Sequence, residues 1–271
     1  GKSERGGYPV IRKNMKQWVI DQAAFAEELL EGLEEIDWPE STKQIQRNWI
    51  GKSEGVEVDF EIEGGGKFSI FTTCIETIYG ITFMVLAPEG EIVKGLLDRV
   101  ENRDEVEAYI KETMTKSDMD RTELNKTKSG CPLKGLYATN PVNGKKVPLY
   151  IGDFVLANYG TGAVMAVPSH DQRDFEYAEV HGIEMIQVID GRDVSECAFE
   201  KQDYLGKGCK LMNSEEFDGM TVEEAKEAIT VKLEKMGVAR RQVNYRFHEW
   251  IFARQRYWGE PVPCVHLEDG K

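Results

Sequence analysis

The sequence predicts an α+β fold, a curved sheet or small barrel with helices around it. Three observations carry this. Short stretches in which apolar and polar residues alternate are bounded by glycine-containing turns, as half-buried strands are. Other stretches place apolar residues at three- and four-residue steps, as amphipathic helices do. The two kinds come in mixed order with no internal repeat.

In chain order, residues 13–35 carry Met15, Trp18, Val19, Phe25, Ala26, Leu29, Leu30 and Leu33 at helical spacing. Trp38-Pro39 ends that helix, and Ser41 is placed to cap a short second one running towards Trp49. Val56, Val58, Phe60 and Ile62 then alternate with polar residues. Gly64-Gly65-Gly66 turns the chain, and Phe68, Ile70 and Thr72 alternate again, which predicts a hairpin. A buried strand follows over Ile81–Leu86, and polar helical stretches over 91–99 and 103–116. Residues 117–146, rich in Ser, Thr, Asn, Lys and Gly, read as loop with short structure. Strand-like pieces return at 147–156, 162–167 and 184–189, with a helix at 170–181 between the last two. Glu223–Met236 forms a further helix, followed by the alternating Val243, Tyr245 and Phe247.

At 271 residues the chain suits one large domain or a domain with appendages. A hydrophobic content of 41% is ordinary for a globular protein. No run approaches the roughly 18 apolar residues of a membrane helix, and no signal-peptide pattern opens the chain. Five cysteines and four histidines fit no zinc spacing, so no metal is expected, and a reducing cytoplasm suits the thiols. The net charge of −14 lacks the basic stripe of a self-sufficient nucleic-acid binder. An RNA substrate would be held weakly and delivered by another module. The opening Gly1–Gly7 and the stop at Lys271 read as excision from a longer protein.

Two stretches could carry chemistry. Thr72-Thr73-Cys74-Ile75-Glu76-Thr77 brings several hydroxyls off a strand end, where they can hold a water or a ligand; threonine is also simply a good strand residue. Gly160–Asp174 runs a glycine-flanked strand into a helix start, with Ser169 as N-cap and Gln172 three residues on, a capping-box pattern. Asp171 suits the helix dipole as a first-turn acid. Asp174 sits deeper on the same face, where it could hold a cationic amine by a charge-assisted bond. Cys74 with His170 is a rival thiol–imidazole pair, although nothing in the sequence joins them. Gly51-Lys52-Ser53 is no P-loop, since Gln46 stands where the first glycine is required.

Together these segments resemble the large editing insertion of the class I synthetases for leucine, isoleucine and valine, with the bacterial-type leucyl form favoured. Asn48-Trp49-Ile50-Gly51-Lys52-Ser53-Glu54-Gly55 is similar to the entry into that insertion. Gly160–Asp174, with Asp171-Gln172-Arg173-Asp174, looks like the leucyl version. Arg254-Gln255-Arg256-Tyr257-Trp258-Gly259 resembles the return to the catalytic core. The likeness spans nearly the whole chain, three motifs in order. It departs at Cys74-Ile75-Glu76, where the family writes Arg-Pro-Asp, and that puts the rigidity of the loop in question.

The resemblance implies a small mixed β-barrel with surrounding helices, divided as 1–45 (helical junction), 46–240 (editing domain) and 241–271 (return segment). It implies hydrolysis of mischarged leucine tRNA, with Asp174 gripping the α-amino group and Thr72 and Thr73 beside the scissile ester. Thr77 would block the leucine side chain. Tyr159, Met165, Val167 and His170 would line the pocket for the amino acid and the terminal adenosine, with Asp171 and Arg173 nearby. The partners implied are the leucine tRNA acceptor end, misattached amino acids and boron adducts of the terminal ribose, with no membrane, for a cytoplasmic monomer. No cofactor is expected here. ATP and Mg belong to a full-length enzyme, and neither His-x-Gly-His nor Lys-Met-Ser-Lys-Ser occurs. The alternative is a domain weakened in catalysis that positions the acceptor end; a free-standing deacylase is less favoured, because both ends look like junctions.

Overall fold

The computed structural model describes residues 5–8, 19–116, 121, 129–157, 160–247 and 249–251. Tyr159, the 254–259 motif and the first part of the 13–35 helix lie outside them. The chain divides into two compact units: Glu54–Gln242 (with Gly1–Gly7), and Tyr8–Ser53 with Val243–Lys271.

In the second unit the N-terminal helical expectation is corrected at Val19–Ile20, which is a strand, β1, antiparallel to β9 (Trp250–Ile251); a 3-10 turn at Ala23–Phe25 then leads into α1 (Ala26–Glu35). A β-branched pair that finds a strand partner far along the chain prefers the ladder to a helix end. Helix α2 (Glu40–Ile50) starts from Pro39, not Ser41, because the proline's extended backbone already turns Thr42 and Lys43 N–H back onto its carbonyl. Ala26, Ile50 and Phe247 make a small core, and Arg47 ties Glu34 to Glu40.

The first unit is built on a seven-stranded sheet. The predicted hairpin is β2 (Ser53–Ile62) with β3 (Lys67–Thr72), paired from Val56↔Thr72 to Glu61↔Lys67. Gly64, Gly65 and Gly66 all take positive φ (80°, 108° and 98°) at its turn, which other residues rarely adopt. Val58, Phe60 and Ile70 are fully buried on one face, each adding about 1.5–3 kcal/mol. β4 (Phe83–Leu86) is wholly buried. Helices α3 (Glu91–Leu96) and α4 (Arg103–Thr113) follow.

The predicted loop at 117–146 is corrected in its second half. β5 (Gly130–Thr139) is a ten-residue strand paired with β6 (Lys146–Gly152), and an irregularity between Pro132 and Tyr137 shifts its register. That shift separates the buried Leu133 and Leu136 by three residues and so hides the alternation. β7 (Ala163–Ala166), α5 (Gln172–His181), the short α6 (Lys201–Tyr204), α7 (Val222–Lys235) and β8 (Ala239–Asn244) complete the unit. At 184–189 there is no strand, only a bridge from Ile189 to Leu211.

Sheet order is β3-β2-β5-β6-β4-β7, with β8 also on β2; β4 and β6 run parallel and the other registered pairs antiparallel. The fold is therefore mixed α/β, as expected, but the sheet does not close into a barrel by hydrogen bonds: its end strands β3 and β7 approach within 8 Å without a ladder between them. Among the described residues no helix is long and apolar enough to cross a membrane.

Candidate functional site

β7 delivers the chain to the start of α5 through one tight turn. The N–H groups of His170 and Asp171 both return to Val167 O, at 2.9 and 3.0 Å. That turn moves the helix cap two residues beyond the predicted one. Asp171, not Ser169, is the N-cap, its carboxylate accepting from Arg173 N (2.9 Å) and Asp174 N (3.3 Å). Ser169 is buried with its hydroxyl unpartnered among the described residues, and Gln172 bonds Ala198 N and Glu176 instead of closing a capping box. Arg173 folds onto Asp171 through two contacts, at 3.1 and 3.3 Å.

Asp174 points back under this turn. It is 9% exposed, and its Oδ2 accepts from Val167 N at 2.9 Å. Burial pushes its carboxyl well above the usual range and the negative Asp171 adds to this, against the Val167 N–H and Arg173. No other hydrogen bond to the carboxylate is found among the described residues. A buried carboxylate with one oxygen uncommitted is a receptor for a cation.

His170 is committed elsewhere. Nε2 accepts from Val188 N and Nδ1 donates to Phe199 O, each at 3.0 Å, which fixes a neutral tautomer. Burial lowers its pKa to about 4. With both ring nitrogens on backbone it is no base for Cys74, so the thiol–imidazole pair is not formed. Met165 is half-buried on β7 opposite Met84, and Val167 is buried.

The threonine stretch leaves β3 and turns into a 3-10 helix, Ile75–Gly80. Thr72 Oγ1 accepts from Cys74 N (3.0 Å), and Thr77 donates its hydroxyl (2.8 Å) and its N–H (3.1 Å) to Cys74 O. Thr73 faces two ammonium groups, with Lys201 Nζ 3.4 Å from Oγ1 and Lys226 Nζ 2.9 Å from its carbonyl. Beneath, the fully buried Glu76 accepts from Tyr204 Oη at 3.1 Å, its other oxygen unpartnered among the described residues. Burial raises the Glu76 pKa.

The two stretches meet. A Cβ on Gly80 would lie 3.0 Å from Ile186 O and 3.1 Å from Val167 Cγ1 and Val188 Cγ2, so a larger residue there would push these neighbours back by a few tenths of an ångström. Thr82 N bonds Ala166 O at 3.2 Å. The chain at 199–204 touches both sides: Phe199 O holds His170, Lys201 reaches Thr73, and the Tyr204 ring stands edge-on to His170 with centroids 6.0 Å apart. Sequence reasoning misses Lys201, Tyr204 and Lys226, which lie far along the chain in no motif. Glu76 is visible there only as a departure.

The arrangement has known counterparts. Residues 47–234 match the family model described as leucyl-tRNA synthetase, editing domain. The chain is similar to the Agrobacterium radiobacter K84 agnB2 LeuRS in a crystal structure of its ternary complex with tRNA and LeuAMS. The identity is 34% and the TM-score 0.74, covering 99% of this chain and 30% of that one. This chain thus spans about a third of the length of that relative. Three motifs, a mixed sheet and a family match over most of the sequence agree, and the chain belongs to the leucyl-tRNA synthetase editing-domain family.

Proposed function

We propose that the chain performs post-transfer editing, hydrolysing the ester of leucine tRNA that carries norvaline, isoleucine or methionine. The observation that carries this is Asp174, a buried carboxylate bonded to the N–H of Val167, the residue that meets Gly80, with one oxygen uncommitted among the described residues. There it anchors the α-ammonium of the misattached residue, and the ester falls towards Thr72 and Thr73. Threonine hydroxyls and loop amides orient water onto the carbonyl. The amides of His170, Asp171, Arg173 and Asp174 are already committed, as are those of Cys74 and Thr77 in the loop, so oxyanion stabilisation falls to the remaining main-chain amides of the 72–77 loop or of the helix start. Residues 46–240 form the hydrolytic part in this reading, and 1–45 and 241–271 join it to a catalytic body, with tRNA brought by the rest of a synthetase.

Editing is needed because an apolar pocket separates side chains that differ by one methylene by only about 1–3 kcal/mol. A second site must reject leucine by shape. Thr77 does so: its hydroxyl is held by Cys74 O, which fixes the side chain in one rotamer. Thr77→Ala is expected to begin hydrolysing correctly charged leucyl-tRNA, read as release of labelled leucine.

The primary test incubates the chain with tRNA carrying labelled isoleucine or norvaline. Loss of the wrong label, sparing of leucine and silence of Asp174→Ala are expected; full deacylation by Asp174→Ala would overturn the assignment. The alternative of a weakened positioning domain draws on the Cys74-Ile75-Glu76 departure. The density of hydrogen bonds around that loop favours the active reading.

A further inference from the structure

The loop that carries Thr72, Thr73 and Thr77 lacks the family's arginine and proline at 74 and 75, yet it is not slack. It is gripped from outside. We propose that Lys226 and Lys201 are positioning residues for Thr73, Lys226 fixing the main chain and Lys201 the hydroxyl, so that this chain replaces rigidity built into the loop by rigidity brought to it. This rests on the editing reading for its catalytic consequence, not for its geometry.

Lys226 stands on α7, whose buried Ala225, Ile229 and Leu233 fix it against the core, so its ammonium reaches Thr73 O from a rigid platform. Its aliphatic stem and its charge serve one contact, and a charge-assisted bond to a carbonyl is among the stronger neutral-partner bonds. Lys201 opens α6 and reaches the other end of the same residue. An ammonium can only donate, so Thr73 Oγ1 accepts there, and the hydroxyl proton must point away from Lys201. Cys74 Sγ lies 3.6 Å from the same oxygen, so the hydroxyl is held between an ammonium that can only donate and a thiol that can do either, and is less free to rotate than an exposed one. Glu76 and Tyr204 complete the frame: the carboxylate lies close enough to both lysines for their charges to lower its pKa, against the larger effect of burial.

Geometry held this way matters because displacement of a reacting group by about 1 Å can cost 100-fold in rate. Lys226→Met retains the stem and removes the donor; Lys226→Arg retains the charge. On mischarged tRNA, Lys226→Met and Lys201→Met are each expected to lower kcat by about tenfold to a hundredfold with KM within twofold, and Lys226→Arg to recover part of the loss. Hydrogen exchange is read in parallel, without reference to chemistry. The Cys74 and Thr77 amides are expected to exchange at least tenfold faster in Lys226→Met, with the β2–β3 ladder unchanged. A rise in KM at constant kcat, or unaltered exchange at 73–77, would overturn the proposal. Should Lys226→Met unfold, Lys201→Met and Lys226→Arg carry the same readouts. A wild-type chain inactive on mischarged tRNA would strike the editing reading alone, because the exchange result still decides whether the lysines hold the loop.

Discussion

The helix start at 167–174 and the threonine loop at 72–77 both combine local and distant bonds, but Asp171 and Asp174 are set at short range and Thr73 and Glu76 at long range. At the helix start the bonds that set Asp171 and Asp174 span two, three and seven residues. At the loop the bonds from Lys201, Tyr204 and Lys226 span 128, 128 and 153 residues. Local bonds form as soon as the segment turns, while long-range ones exist only in the assembled domain. On the editing reading, the Asp171–Asp174 turn is therefore set locally, and the loop depends on side chains brought to it by α6 and α7. If that contrast is right, mutations at the first should act on chemistry or on one helix, and mutations at the second should act on order.

The largest effect is expected at Asp174. Asp174→Asn keeps the volume and an oxygen that can accept from Val167 N, but removes the charge. Loss of a buried charge-assisted anchor is worth about 2–4 kcal/mol, so kcat/KM for mischarged tRNA should fall on the order of 100-fold. The urea midpoint should hold or rise, because a carboxylate costly to bury has gone. Lost stability with retained activity would break the view of Asp174 as a receptor built at the expense of stability.

Acid acts on His170 and Glu76 with opposite sign, while Asp174 at the helix start shares the direction of Glu76. His170 has its folded pKa lowered to about 4 from an ordinary value of 6.5, so its contribution is present above 6.5 and is lost progressively as pH falls from there through 4. The loss reaches about 3 kcal/mol, since each tenfold change in proton affinity is worth roughly 1.4 kcal/mol. Glu76 runs the other way: its pKa is raised, so its contribution is present below the ordinary value of 4.5 and lost as pH rises through the folded one. Urea midpoints of wild type, His170→Gln and Glu76→Gln between pH 7 and 4 check both. His170→Gln should flatten the acid loss and Glu76→Gln should deepen it; equal slopes in the two variants would break the assignment.

Next in size is Tyr204→Phe. Glu76 would lose the Tyr204 hydroxyl, the side-chain donor it has among the described residues, while buried, at a cost of about 1–3 kcal/mol, read from the urea midpoint. The cost should be larger at pH 8 than at pH 5, since the ionised carboxylate needs the donor more.

What is legible in the sequence follows the same division. The β2–β3 hairpin and α7 announce themselves by spacing and glycines, because strand alternation, turns and caps are local physics. The segment around Asp174 is legible for the same reason, though the pattern puts its cap on Ser169. A tight turn through Val167 and Pro168 consumes two residues that periodicity cannot count. β5 is hidden by its irregularity and by glycine and lysine in a strand whose outer face is wet. Val19–Ile20 read as helix because their partner lies more than two hundred residues on. Lys201, Tyr204 and Lys226 carry no signal at all, since their roles exist only through contacts that no window of sequence contains.

The smallest effect sharpens the contrast most. Asp171→Ala removes the side-chain cap of α5 and should cost about 1 kcal/mol by urea denaturation. It also removes the like charge beside Asp174, which lowers the Asp174 pKa and favours the ionised receptor. The two effects oppose one another in activity, so deacylation should change less than stability suggests, by about threefold or less. Hydrogen exchange should quicken in the first turn of α5 and nowhere in 72–77. Combined with Tyr204→Phe, the stability costs should add to within about 0.5 kcal/mol, as for sites without shared partners. Strong non-additivity would mean that the Asp171–Asp174 turn is not set locally. It would then lean on the same distant contacts as the loop, transmitted where the His170 ring meets Tyr204.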